Sequence, residues 1–321
     1  MTTPQQPDTP TENRRGILRR LKRVLPFQKA HGRITIILNP AAGQSSPTLR
    51  TFNRIFHEGG YHWEIRLINQ FGDGQVHARK AVAEGADIVA VYGGDGSIMD
   101  VAAGMVGSQV PLGILPGGTG NIMAAELGIP RLLSDSCNLL VNPNHTIRTI
   151  DSACANNTCF LMRTGIGLEA TVVKEADREI KDLFGMMSYA MAIIQALNTT
   201  KPCHFQLDID GKQIEIDGLI CTVANAGSFG LPGLVLSPMV SISDGLLDIF
   251  VIRKVDLVSF LAIATRVVGR TEDPYTFPHW QGTHVRVTAD PPQDVEADGE
   301  LICHTPVEVT INPGSLRVIV P

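Results

Sequence analysis

Gly93-Gly94-Asp95-Gly96-Ser97 sets one carboxylate among three glycines, directly after the apolar run Val89-Ala90-Val91-Tyr92. Such a run reads as a buried parallel strand. Glycines at its carboxyl end let the backbone turn tightly and approach a ligand. Ligands of open α/β sheets bind outside those strand ends. The stretch therefore offers an acid and a set of backbone N–H groups where a phosphate or nucleotide would sit. An ordinary strand-to-helix turn explains a single loop of this kind equally well. Two more loops shift that balance. Val110–Pro116 runs into Gly117-Gly118-Thr119-Gly120-Asn121 and then a helical pattern through Ile122, Met123, Ala124 and Leu127. A glycine-rich loop feeding a helix binds anions through N–H groups and the helix dipole. Thr119 and Asn121 add side-chain hydrogen-bonding groups. Ile34–Leu38 followed by Asn39-Pro40-Ala41-Ala42-Gly43 repeats the arrangement.

The second half carries two acidic features. In Val295-Glu296-Ala297-Asp298-Gly299-Glu300-Leu301, an extended chain would point Asp298 and Glu300 the same way, toward one site. A plain Asp-Gly turn is the alternative. Asp244-Gly245, within Ser237–Asp248, also reads as a hairpin turn.

Positioning these groups requires two kinds of architecture. From His31 to about Ile150 strands and helices alternate: strands at Ile34–Leu38, Trp63–Ile68, Ala86–Val91 and Leu112–Leu115, with a helix from Asp73 to Glu84. This predicts a doubly wound α/β sheet. After Ile150 short β-like segments take over. His204–Ile209 leads into the turn signal Asp210-Gly211. Further strands are expected at Leu219–Val223, Leu247–Ile252, His284–Thr288 and Val307–Ile311, and helices at Gly167–Asp182, Phe184–Leu197 and Leu257–Val268. Phe184–Leu197 and Leu257–Val268 are apolar and read as core or, under the resemblance given below, as the lining of an acyl-chain cleft. The expected division is a tail over 1–31, an α/β nucleotide domain over 32–150 and a β-rich domain over 151–305; the resemblance given below implies that about 306–321 returns to the first domain and that the second takes the acceptor.

The three glycine loops and Asp298-Gly299-Glu300, in this order and spacing, resemble the family of diacylglycerol kinases, sphingosine kinases and related bacterial lipid kinases. The resemblance covers nearly everything after His31. It implies an α/β nucleotide domain, a β-rich, sandwich-like second domain, and an active site in the cleft between them. It also implies ATP and Mg²⁺. Asn39, Pro40, Ala41, Ala42 and Gly43, then Gly93, Gly94, Gly96, Ser97, Ile98, Met99 and Asp100, then Gly118, Thr119 and Asn121 would cradle the nucleotide. Asp95 would hold the catalytic metal, and Glu300, aided by Asp298, would take the proton of a lipid hydroxyl. Ser241, Asp244 and the backbone of Leu246 would contact a structural magnesium ion. The sequence departs from the family pattern at Ile122, where many relatives place an aspartate, and at Ala41 and Ala42, where several carry a basic residue. The absence of the threonine commonly found before Gly72-Asp73 is a third departure. An NAD kinase-like enzyme with a soluble acceptor shares the GGDG stretch, and a non-catalytic lipid-binding regulator would share the fold.

A chain of 321 residues suits two domains, and its net charge of -5 argues against nucleic-acid binding. Six cysteines without paired CxxC spacing point to reduced thiols, and Cys154 and Cys159 lack partners for a zinc pattern. No apolar run reaches a membrane span. In residues 14–27, Ile17, Leu18, Leu21, Val24 and Leu25 share one helical face and Arg15, Arg19, Arg20, Lys22 and Arg23 the other. Such a helix suits an anionic membrane surface; a solvated basic tail or a helix docked on the body of the protein are the alternatives. The expectation is a cytoplasmic protein, peripheral on the membrane, with a homodimer left open.

Overall fold

The computed structural model describes residues 32–43, 48–167, 202–228, 237, 239–253 and 278–321. The expected tail, most of the Gly167–Asp182 helix, and the Phe184–Leu197 and Leu257–Val268 helices lie outside the described residues. No helix among the described residues is long and apolar enough to cross a membrane.

Four parallel strands build the first half: β1 (Gly32–Leu38), β2 (Tyr61–Leu67), β3 (Ile88–Gly93) and β4 (Leu112–Pro116). Their order is β2-β1-β3-β4. Every residue of β3 and β4 is buried, as expected for strands covered on both faces. Helix α1 (Thr48–Phe52) continues into a π-turn at Asn53–His57, which packs with α5 (Leu133–Val141). Helices α2 (Asp73–Ala83) and α3 (Asp95–Ala103) pack on each other. The short helix α4 (Ile122–Glu126) follows β4. This is the doubly wound sheet the sequence predicts. Because β2 and β3 lie on opposite sides of β1, the chain reverses direction between β1 and β3, and crevices form at such switch points.

The sheet does not stop at β4. The long strand β16 (Val307–Val320) pairs in parallel with β4 at Val318↔Leu112, and antiparallel with β5 (Thr146–Ala155) from Val309↔Ala155 to Val320↔Thr146. β5 turns into β6 (Thr158–Phe160), and β16 leads on through β13 (His284–Asp290) to β8 (Cys203–Ile209) and β9 (Lys212–Gly218). The result is one ten-stranded sheet. A second sheet of six strands has the order β12-β11-β10-β7-β14-β15, from β7 (Arg163–Gly167), β10 (Ile220–Ala224), β11 (Leu247–Ile252), β12 (His279–Gly282), β14 (Asp294–Ala297) and β15 (Glu300–His304). Ile166, Val223, Ile249 and Val295 of the small sheet share one buried core with Phe205, Leu207, Val287 and Val309 of the large one. That makes the second half a β-sandwich.

β16 and β5 belong to both halves. Leu316, Val318 and Ile319 enter the α/β core while Val307, Val309 and Ile311 enter the sandwich core. Ile150 and Ala153 divide β5 in the same way. The β8–β9 hairpin turns at Asp210 (φ 49°) and Gly211 (φ 87°), the left-handed pair its Asp-Gly sequence requests. The expectation of reduced thiols fails at one pair. Cys154 and Cys159 face each other across β5 and β6 and are joined as a disulfide. Sequence spacing hid this because the hairpin register, not a CxxC motif, brings them together. Burial pushes the free thiols of Cys137 and Cys203 up, to about 12 and about 11.

Candidate active site

The switch point brings the three glycine loops together. Leu38 lies opposite Tyr92, and Gly93 opposite Pro116, so the loops after β1, β3 and β4 leave the same sheet edge as neighbours. Hydrogen bonds lock them. Asn39 N–H donates to Tyr92 O at 3.0 Å, and Gly117 N–H to Gly93 O at 2.9 Å. Asn39 Nδ2 donates to Ser97 Oγ at 2.9 Å, while its Oδ1 accepts from Ala41 N–H at 2.9 Å. The first loop thus grips the second through one side chain.

Glycine is needed here for contact. A Cβ on Gly118 would stand 2.6 Å from the Gly94 Cα, so the second and third loops touch backbone to backbone. Asn121 adopts a left-handed conformation (φ 51°), and both ends of its amide bond Gly118, from Gly118 N–H at 2.9 Å and to Gly118 O at 2.6 Å. Asn121 therefore shapes the loop, and its buried side chain is already engaged. Thr119 is exposed at the loop tip.

Asp95 opens α3. Its Oδ1 accepts from Met123 N–H, at the start of α4, at 3.0 Å. Its Oδ2 takes no hydrogen bond among the described residues, which leaves one carboxylate oxygen for a ligand. Ile98, Met99 and Asp100 differ. All three are buried in the body of α3. The Asp100 carboxylate accepts from Gly72 N–H at 3.2 Å and Gly74 N–H at 2.9 Å, so it fixes the start of α2 rather than the loop mouth.

The Asp298–Glu300 segment corrects its expectation. The chain there is not extended: Asp298 (φ 46°) and Gly299 (φ 90°) form the turn between β14 and β15. The two carboxylates therefore have different surroundings. Asp298 Oδ2 accepts from Leu161 N–H at 2.8 Å, and Oδ1 accepts from Met162 and Arg163 N–H at 3.0 Å each. Burial pushes its carboxyl above the ordinary range, against the pull of these three amides. Glu300 is exposed, and its carboxylate takes no hydrogen bond among the described residues. Glu296, two residues before Asp298, is buried and accepts from Gly299 N–H at 2.6 Å.

Ser241, Asp244 and Leu246 lie together on the loop before β11, where Asp244 Oδ1 accepts from Leu246 N–H at 3.0 Å. Burial, then the neighbouring charges of Asp248 and Asp151, raise the Asp244 carboxyl, opposed by the Leu246 amide. Among the described residues no three acidic, histidine or cysteine side chains converge as metal ligands. An ion at this loop would hold one carboxylate, a hydroxyl and a carbonyl, with water completing its shell.

Several residues that build the site have no local sequence signature. Asp151 is buried and ties Gly245 N–H at 2.7 Å and Gly314 N–H at 2.6 Å, which sets the Asp244 loop against β16. Asn225 is buried and bonds Leu161 O at 2.6 Å and Asp151 O at 3.2 Å. Tyr92 is the floor of the loops: a Cβ on Gly117 would meet its ring at 3.0 Å, and Gly43 packs against its hydroxyl end. An aromatic residue directly before the glycines was a signal for that role.

Two family descriptions match in tandem. Residues 33–155 match the diacylglycerol kinase catalytic domain, and residues 163–320 the YegS C-terminal NAD kinase beta sandwich-like domain. A Synechocystis protein named only as uncharacterized is 35% identical over 265 residues, which are 80% of this chain; the chain spans 58% of that protein's length. A Mycobacterium tuberculosis diacylglycerol kinase is 28% identical over 306 residues, covering 90% of this chain and 96% of the relative. A Bacillus subtilis diacylglycerol kinase is 26% identical over 299 residues with the same coverage. A crystal structure of a diacylglycerol kinase from Bacillus anthracis shares the fold, with a TM-score of 0.75 at 24% identity over 90% of this chain and 97% of that one.

Proposed function

This chain belongs to the diacylglycerol kinase family, and we propose that it is a kinase that transfers the γ-phosphate of ATP to the hydroxyl of a membrane lipid of the diacylglycerol, ceramide or sphingoid type. The observation that carries this reading is the loop cluster at the sheet's switch point, with Asp95 Oδ2, which takes no hydrogen bond among the described residues, beside it. Phosphoryl transfer asks the protein mainly for positioning and charge neutralisation. Backbone N–H groups of the three loops, and the Thr119 hydroxyl, hold the phosphates. The contact of Gly94 with Gly118 keeps the second and third loops side by side.

The residues present fit a magnesium ion, because Mg²⁺ needs only one or two carboxylates beside nucleotide phosphates, and Asp95 Oδ2 supplies one. When bound, the ion neutralises charge on the phosphate oxygens. Glu300 accepts the proton as the lipid oxygen bonds to the γ-phosphorus and the bond to ADP breaks. Its exposed carboxylate suits that task. Asp298, saturated by three amides, holds the hairpin that presents Glu300. The Asp244 loop is the place for a structural magnesium ion. Residues 14–27 supply the contact with an anionic membrane surface that a lipid acceptor requires.

The test is transfer of labelled γ-phosphate from ATP and Mg²⁺ to a panel of lipids in mixed micelles, with NAD and fructose 6-phosphate as soluble acceptors. Label on a lipid is the expected result. Label only on a soluble acceptor replaces the lipid with a water-soluble alcohol. ATP binding with no label anywhere favours a regulatory protein.

A further inference from the structure

Glu126 is the last residue of α4, in the α/β half, and Ser228 follows β10 in the sandwich half. The Ser228 hydroxyl donates to Glu126 Oε2 at 2.8 Å, across 102 residues of sequence. The Ser228 carbonyl accepts from Arg163 Nη1 at 3.1 Å. Each end of this link reaches a residue of the proposed site. α4 donates Met123 N–H to Asp95, and Arg163 donates its backbone N–H to Asp298. An unbroken path of short contacts therefore runs from the phosphate loops to the Asp298–Glu300 hairpin.

We propose that Glu126, Ser228 and Arg163 form a positioning strut that sets the two halves of the active site at reacting distance. The inference rests on the kinase reading. Its physical basis is the location and kind of the bonds. The Ser228–Glu126 bond has an ionised acceptor and is stronger than a neutral one. Other polar ties between the halves, Gly107 N–H to Ser315 O at 2.7 Å and Arg317 to Gln109 O at 3.1 Å, lie beyond the C-terminal end of α3. Asp95 is at its N-terminal end. Through α4 and its bond to Asp95 the strut adds a tie near the other end of α3, and two separated ties fix tilt as well as position. Without the strut, β5 and β16 still join the halves, so the protein folds while the site loses its setting. Nucleotide binding, confined to the loops of the α/β half, persists.

Ser228→Ala removes the hydroxyl and keeps the carbonyl bond to Arg163. A displacement near 1 Å costs on the order of 10²-fold in rate. Ser228→Ala is therefore expected to lower kcat by at least ~10-fold while KM for ATP and Tm stay close to the wild type. Ser228→Thr restores kcat. Glu126→Ala repeats the loss, and Glu126→Gln, whose amide oxygen still accepts, restores most of it. The double variant Ser228→Ala/Glu126→Ala falls no further than either single one, because both remove one bond. Wild-type kcat in Ser228→Ala, or losses that multiply in the double variant, overturn the strut. Hydrogen exchange over 122–127 and 161–163 reads the same contact without activity. Faster exchange in Ser228→Ala supports the strut and unchanged exchange overturns it, even if the wild-type protein phosphorylates no acceptor and the kinase reading falls alone.

Discussion

The two halves of this molecule make their parts of the site from different materials. The α/β half uses backbone: glycine loops a few residues long, each following its own strand, brought together by parallel pairing. The sandwich half uses side chains that reach far along the sequence. Asp298 binds amides more than 130 residues away, and Asp151 binds Gly245 and Gly314 across 94 and 163 residues. Outside Asp95 and the loop-locking Asn39 and Asn121, a site made of local turns is tolerant of side-chain change and intolerant of added bulk. A site made of distant clamps has the opposite weaknesses. Substitutions that separate these behaviours test the comparison.

The largest effect is expected at Asp95. Asp95→Asn keeps a carbonyl oxygen for Met123 N–H and removes the anionic ligand, so phosphate transfer falls by on the order of 10²–10³-fold or more, with circular dichroism and Tm unchanged. Gly118→Ala comes next. Its methyl group forces Gly94 and Gly118 apart, and the expected result is loss of the ATP-induced rise in Tm while the apo protein stays folded. Asp298→Ala reverses the pattern. It leaves three amides unanswered, and one lost partner of a buried group costs about 1–3 kcal/mol, so a large drop in the urea midpoint is expected with ATP binding by the α/β half retained. Reduction of Cys154–Cys159 should cost about 2 kcal/mol from its short loop, read as a lower Tm in dithiothreitol that Cys154→Ser/Cys159→Ser reproduces.

Asp244 gives the smallest effect and a definite sign. Burial and the charges of Asp151 and Asp248 raise its carboxyl in the folded state. A raised folded pKa means the folded state binds the proton more tightly, so stability is lost as pH rises through it. Asp244→Asn is expected to gain Tm over the wild type at neutral pH without Mg²⁺, and to lose that advantage when Mg²⁺ is added or the pH is lowered. An equal response of both proteins to Mg²⁺ removes the ion from this loop.

Legibility in the sequence follows the same division. The parallel strands, their loops and the Asp210-Gly211 hairpin could be read because hydrophobic period and turn chemistry are local. The return of Leu316–Val320 to the first half followed from the family resemblance and not from the strand pattern itself. The extended reading of Asp298 and Glu300 failed because Asp-Gly favours a left-handed turn, and the turn won. The Cys154–Cys159 bridge, the Asp151 and Asp298 clamps, and the Glu126–Ser228 contact depend on which strands pair. No spacing within the sequence reports that. Asp100 shows the limit from the other side: it belongs to the glycine motif in sequence, yet its carboxylate serves Gly72 and Gly74.

The central claim is that both halves act on one phosphoryl transfer to a lipid. Single-turnover transfer from γ-labelled ATP to lipid in mixed micelles, run with the wild type, Asp95→Asn and Glu300→Gln, tests it most directly. The account predicts labelled lipid with the wild type and a slow or absent burst with either variant, although ATP still binds to Glu300→Gln with unchanged affinity. A Glu300→Gln protein that labels lipid at the wild-type rate would contradict it.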